Sequence, residues 1–226
     1  MTMKRKASVV TGVLGRLKPI LTAGTRLPSE RELSRKLRVS RPSLREALRT
    51  LELMGVVDTK HGSGTHVADS GTNVLRAPLE FLFMLDRPSI EDLVDTRAML
   101  EVHLAGRAAE ARDDKDLATL ESALKDMKSK LSQPMDVTDP DLRFHQAIAA
   151  ASHNRLLERL MNCLRDGITE VMVAAWPGVP DMETSFAFHV KVFNAIKRGN
   201  AAGARLAMTR MMDEFRKELR QVGLLE

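Results

Sequence analysis

The 226-residue sequence predicts a mostly α protein: an N-terminal winged helix-turn-helix with a two-stranded wing, then a C-terminal all-α helical bundle. Three observations predict it. Two capped helical segments joined by a tight turn precede a short ribbon with a glycine-bearing turn. From about Ser89 the apolar periodicity is helical almost to the C-terminus. Net positive charge is confined to the first third, where residues 1–75 hold 14 Lys and Arg against 6 Asp and Glu, while the remainder holds 21 against 24. A small basic module joined to a larger, slightly acidic one points to a polyanion binder attached to a part with another task.

In order, an amphipathic stretch from about Val9 to Leu21 comes first, with Pro19 expected to kink or shorten it. Gly24 and Pro28 then break the chain, and Ser29 with Glu32 forms a capping box that opens a helix to about Arg38. Ser40 caps a second helix running to Met54, with Pro42 in its first turn, Leu44, Ala47, Leu48 and Leu51 as its apolar stripe and Gly55 as its stop. Val56–Lys60, the turn His61-Gly62-Ser63-Gly64 and Thr65–Val67 make the wing. Residues 68–78, with Ser70, Gly71, Thr72 and Asn73, read as a linker, dividing a domain 1–75 from a domain 79–226. The second domain reads as helices over 89–111, 115–131, 140–151, 154–175, 181–198 and 201–221, with Asp139-Pro140 as a start signal and Gly199-Asn200 as a stop. Trp176-Pro177 ends a helix, and Met208, Met211 and Met212 read as adaptable core.

Composition narrows the function. No run approaches the ~18 uncharged apolar residues of a membrane helix, and no apolar signal core follows the basic N-terminus, so a cytoplasmic protein is expected. One cysteine, Cys163, excludes an intrachain disulfide framework and any multi-cysteine zinc cluster. With no Tyr, 7 Phe and 1 Trp, few platforms exist for stacking single-stranded bases. Duplex DNA fits better. The second helix can enter the major groove, where Arg41, Ser43, Arg45 and Arg49 line its start and outer side; Arg31, Arg35 and Arg38 stud the first helix, while Ser40 stands at the turn. Gly62 and Gly64 allow a close approach of the wing, with Lys60 and His61 able to reach anionic oxygens. Charged residues at helical spacing are also the ordinary solvated face of a helix, or of a winged module that binds protein rather than DNA.

The run Leu27-Pro28-Ser29-Glu30-Arg31-Glu32-Leu33, then Val39-Ser40-Arg41, Leu44-Arg45-Glu46-Ala47-Leu48, Leu51-Glu52, Gly55 and His61-Gly62-Ser63-Gly64-Thr65 resembles the DNA-binding domain of GntR-family transcription regulators. The resemblance covers residues 9–68. It implies that Arg31, Arg41 and Arg45 carry the main operator contacts, with Gly62 in the wing, and that a homodimer meets inverted-repeat half-sites in double-stranded DNA.

In the helical half the informative residues are polar ones on apolar faces. Asp141 and His145 lie one turn apart with Phe144 and Ile148 on their side; His189 lies between Phe186 and Phe193; Arg97 falls among Ile90, Leu93, Val94, Leu100 and Leu104, with Glu101 one turn on. All should point inward, and a buried guanidinium must find an anion. Each could be a hydrogen-bonded core residue alone. Their convergence in one bundle favours a ligand site, and Asp141, His145 and His189 offer three metal donors. A metal-dependent hydrolase could use the same set, although no separate base or nucleophile accompanies it.

Arg97 with Leu100 and Glu101, Asp141-Leu142-Arg143-Phe144-His145, Asn154, and His189 followed by Ala195-Ile196 and Gly199-Asn200 resemble the FCD ligand-binding domain of the FadR subfamily, over residues 80–220. The resemblance implies a divalent metal, such as zinc, nickel or manganese, on Asp141, His145 and His189, and a small carboxylate effector beside Arg97, Asn154, His145 and His189. The family's last histidine is replaced by Met211, whose thioether is a soft, weak ligand for such ions. The site is then either three protein donors plus water or effector, or a metal-free cationic pocket.

Overall fold

The structure is a computed structural model that describes residues 11–60, 63–68, 85, 86, 88–178 and 182–226. Contacts divide the chain into two units, Met1–Asp86 and Arg87–Glu226. The expected linker over 68–78 lies, apart from Ala68, outside the described residues, as do His61 and Gly62 of the wing tip.

In the first unit α1 is helical over residues 11–17 and tightens into a 3-10 turn at Lys18–Ile20, with Pro19 inside it. Proline supplies no amide for the α ladder, so the α-helix ends at Leu17, shorter than the amphipathic pattern predicts. Helix α2, Glu30–Leu37, opens on the complete Ser29/Glu32 capping box and closes on Arg38 in the left-handed region, φ 52°. Ser40 caps α3, Arg41–Leu53, by accepting from the Ser43 amide. Gly55, φ 66°, ends α3 in a Schellman arrangement: the Val56 amide donates to Leu51 O at 2.8 Å and the Gly55 amide to Glu52 O at 2.9 Å.

Strands β1, Val57–Lys60, and β2, Gly64–Val67, pair antiparallel with Val57 opposite Val67 and Lys60 opposite Gly64. This is the two-stranded wing expected, with one further segment bridged to it. Thr25–Leu27 runs along the free edge of β2, its Leu27 amide donating to Thr65 O and the Val67 amide to Thr25 O, each at 2.8 Å. Val13, Leu17, Leu27, Leu33, Leu44, Leu48, Leu51, Val57 and Val67 form one buried core beneath both motifs.

The second unit is helical throughout its described residues: α4 Ile90–Ala111, α5 Asp114–Ser129, α6 Pro134–Ala151, α7 Arg155–Ala175, a 3-10 turn Trp176–Gly178, α8 Met182–Lys197 and α9 Ala201–Gln221. Helix α4 packs against α6, α7, α8 and α9, so its inward stripe meets the others at the bundle centre. The start expected at Pro140 is corrected. Helix α6 begins a turn and a half earlier, Pro134 takes the first-turn position that proline favours, and Pro140 lies inside the helix. Burial of Val137, one turn before Asp141 on the same stripe, offsets the hydrogen bond that Pro140 cannot make.

Candidate functional site

The first unit presents Arg31, Arg35, Arg38, Arg41, Arg45 and Arg49 exposed, on the two helices. Arg41, Arg45 and Arg49 recur every fourth residue and form one stripe along α3, opposite its buried face of Leu44, Ala47, Leu48 and Leu51. Ser40 and Ser43 are held at the helix start: the hydroxyls lie 2.8 Å apart and Ser40 Oγ accepts from the Ser43 amide. One residue here escaped the sequence reading. Glu30, in the first turn of α2, binds Arg45 with Oε2 2.7 Å from Nη2, and the pair is half exposed. The Arg45 hydrogen bond holds the Glu30 carboxyl below its ordinary range against a smaller burial effect, with Arg41 and Arg49 adding to the pull. Arg45 is thereby pre-aimed across the α2–α3 turn.

In the second unit the structure brings Arg97, Asp141, His145 and His189 together and buries them, each at most 5% exposed. Arg97 Nε donates to Glu101 Oε1 at 2.7 Å, its Nη2 lies 3.7 Å from Asp141 Oδ2, and its guanidinium stands over the Phe215 ring. Burial disfavours the Arg97 cation, yet Glu101 and Asp141 outweigh it and keep the group charged. Burial likewise opposes the two anions, but His145 and Arg97 hold Glu101 low, while His145, His189 and Arg97 hold Asp141 well below the usual carboxylate range.

The imidazoles are oriented from behind. His145 Nδ1 is hydrogen-bonded to Glu101 Oε2, and His189 Nδ1 donates to the Ser185 carbonyl at 2.9 Å. Each therefore turns Nε2 toward Asp141: His189 Nε2 is 2.9 Å from Oδ1 and His145 Nε2 is 3.7 Å from Oδ2. A ring fixed on one side by a carboxylate or carbonyl, with its other nitrogen turned toward a shared carboxylate, is the arrangement that orients a metal-binding histidine. Both His189 nitrogens face acceptors: burial works against its cation, but the Asp141 bond outweighs burial and raises its pKa. Asp141 Oδ2 is buried without a hydrogen-bond partner among the described residues. The donor atoms of Asp141, His145 and His189 all lie within 4.8 Å of one another, so the residues fit a divalent cation.

This cluster lines a cavity with Trp176, Phe188, Met211, Met212 and Glu218, which admits about one water-sized sphere, ≈ 20 Å³. One lining residue, Glu218, was missed in the sequence. Met211 faces the cavity, and so does Glu218, two turns further along α9. Its carboxyl is pushed up to about 7, first by burial and then by Glu214 and Asp141. Trp176 does end a helix, as expected, and its buried indole Nε1 has no hydrogen-bond partner among the described residues. Met212 shares the lining. Asn154 does not join them: it is the N-cap of α7, its Oδ1 accepting from the Leu156 and Leu157 amides at 3.2 Å, and it is absent from the cavity lining. An Asn ahead of an apolar run is a cap by preference. A second carboxylate and histidine group, Asp113, Asp116 and His153, lies near the surface, where Asp113 and Asp116 form the capping box of α5.

Comparison with known proteins gives two family matches. Residues 92–214 match the FCD domain, and residues 17–67 match the bacterial regulatory proteins of the gntR family. The HTH-type transcriptional regulator LutR of Bacillus subtilis (strain 168) is 33% identical over 199 residues, spanning 86% of this chain and 89% of that protein. A protein of Escherichia coli (strain K12), whose name assigns it provisionally to regulation of an L-lactate dehydrogenase operon, is 34% identical over 83% of this chain and 75% of its own length. Among solved structures, Streptococcus agalactiae GntR superposes with a TM-score of 0.76 over 92% of this chain and 99% of its own, at 24% identity, which speaks to the fold.

Proposed function

The chain belongs to the gntR family of bacterial regulatory proteins and carries the FCD domain, and from that premise we propose a cytoplasmic transcription regulator whose grip on operator DNA is set by a small organic acid. The observation that carries the reading is the convergence of Asp141, His145 and His189 beside Arg97 in one buried cavity, within a chain whose other unit lines α3 with Arg41, Arg45 and Arg49. The relatives are transcription regulators rather than hydrolases, which favours reading these donors as a receptor.

Asp141, His145 and His189 would hold a zinc, nickel or manganese ion, which when bound supplies a Lewis-acid anchor for ligand oxygens. Arg97, kept charged by Glu101 and Asp141, would meet the acid's carboxylate, and the Trp176 indole N–H would donate to a second oxygen. A 2-hydroxycarboxylate offers both groups, and L-lactate, named for one relative's operon, is the first candidate. Such an acid exceeds the space for one water, so it enters by displacing lining side chains, of which the unbranched Met211 and Met212 move at least cost.

On the DNA side, Arg31, Arg41 and Arg45 are the principal contacts, with Ser40, Ser43, Arg49, His61 and Gly62 supporting them, in a homodimer that reads inverted half-sites. Acid binding would change the relative orientation of the two heads, with a coupling of about 1–3 kcal/mol. In vitro selection from random duplexes, followed by anisotropy titration between 50 and 200 mM salt, tests the DNA half. Affinity is expected to fall by roughly 10²-fold or more as counterions return to the phosphates. Failure to enrich any duplex that binds in a salt-sensitive way would contradict the reading.

A further inference from the structure

We propose that Glu218 is a metal ligand of this protein, supplying from α9 the fourth protein donor that Met211 is too soft to provide. The inference rests on the metal reading of Asp141, His145 and His189 given above.

The burial of Glu218 is the starting point. It is 6% exposed, it lines the same cavity as the three donors, and its carboxylate has no hydrogen bond or ion pair among the described residues. An unpaired carboxylate is too costly to keep inside a bundle without a counter-charge. The ordinary counter-charges are spent elsewhere: Arg97 is engaged by Glu101 and Asp141, and Lys217, the neighbour in sequence, pairs with Glu214 at the surface. The donor atoms of Asp141, His145 and His189 cluster within 4.8 Å without Glu218, so its carboxylate reaches them by rotation of its own side chain within the shared cavity.

Charge balance points the same way. With a dication on neutral His145 and His189, the pocket holds the ion and Arg97 against Glu101 and Asp141, one positive charge in excess. Ionised Glu218 cancels it. Helix geometry makes the exchange available, because residues seven apart on α9 share a face, so Met211 and Glu218 both look into the cavity from one stripe. A set of one Asp, two His and one Glu is harder than a set completed by a thioether, and it suits zinc or manganese over soft ions.

The test uses the full-length protein stripped with EDTA and titrated with Zn²⁺ against a chromophoric chelator, and with Co²⁺ followed by its visible absorption. Wild type is expected to take up one ion per chain. Glu218→Gln should weaken Zn²⁺ binding at least about tenfold and alter the Co²⁺ spectrum, by analogy with the loss of metal-site support. Met211→Leu should leave affinity within about threefold and the spectrum unchanged. Should Glu218→Gln fail to fold by circular dichroism, Glu218→Asp, which withdraws the carboxylate by one methylene, provides the same comparison. Unchanged Zn²⁺ affinity and an unchanged Co²⁺ spectrum in the Glu218 variant would overturn this inference alone. A sulfur-to-cobalt charge-transfer band lost in Met211→Leu would also overturn it. Wild type that takes up no ion would overturn the metal reading beneath it.

Discussion

Replacing Arg97 by Met is the most informative single perturbation of the helical unit. Methionine keeps much of the arginine's length and its packing on Phe215 while deleting the charge that Glu101 and Asp141 share. Both anions are buried, so removing their common cation leaves uncompensated charge, which costs about 3–5 kcal/mol. In a helical unit of this size that corresponds to a loss of roughly 10–15 °C in Tm. The assay is urea and thermal unfolding of the EDTA-treated protein followed by circular dichroism. The double variant Arg97→Met with Glu101→Leu completes the cycle. Removing one anion together with its cation should recover at least half of the loss, since apolar replacement of a whole buried pair is often close to neutral. A cost below about 1 kcal/mol for Arg97→Met would refute the reasoning, because it would mean that the anions find another counter-charge or lie open to water.

Further outcomes follow from other residues. The Glu218 carboxyl is raised from 4.5 to about 7 in the folded chain, so its protonated form is the stabilising one: metal-free protein should be intact in this respect at pH 4.5 and lose at most about 3 kcal/mol as pH rises through 7. Urea midpoints at pH 5 and pH 8 in EDTA should therefore converge in Glu218→Gln, and an unchanged pH slope would contradict the assignment. Arg45→Ala should weaken selected duplexes about ten- to hundredfold and relax base discrimination, as measured by anisotropy; an equal loss on unrelated sequences would make it a phosphate contact instead. Leu44→Ala, at the centre of the first unit's core, should cost about 2–5 kcal/mol in denaturant unfolding, and less than 1 kcal/mol would place the core elsewhere.

What the sequence made legible was local periodicity. The i, i+4 spacing of Asp141 and His145, on the side of Phe144 and Ile148, was enough to turn both inward, and the pairing of Arg97 with Glu101 follows from the same spacing on α4. Caps were equally legible, because Ser29/Glu32 and Ser40 act through neighbouring amides only. The misreadings depend on partners distant in the chain. Glu218 lies in a Lys-Glu-Leu-Arg run that alone looks solvated, and only the packing of α9 against α4 buries it. Glu30 meets Arg45 across 15 positions because of the angle at the α2–α3 turn, which spacing does not encode. Propensity alone makes Pro140 a helix start, whereas the helix extends from Pro134 through it with Val137 buried one turn before Asp141.

The claim at the centre is that occupancy of the Asp141, His145 and His189 cavity governs the grip of the arginine-lined head on duplex DNA. It is tested most directly by anisotropy titration of a selected duplex with zinc-loaded protein, with and without saturating L-lactate and other small 2-hydroxycarboxylates, in wild type and Asp141→Asn. At least one acid is expected to shift wild-type affinity by about 5- to 150-fold, while the variant, still able to bind the duplex, does not respond. A shift of the same size in Asp141→Asn, or no response of wild type to any acid of this class, would contradict it.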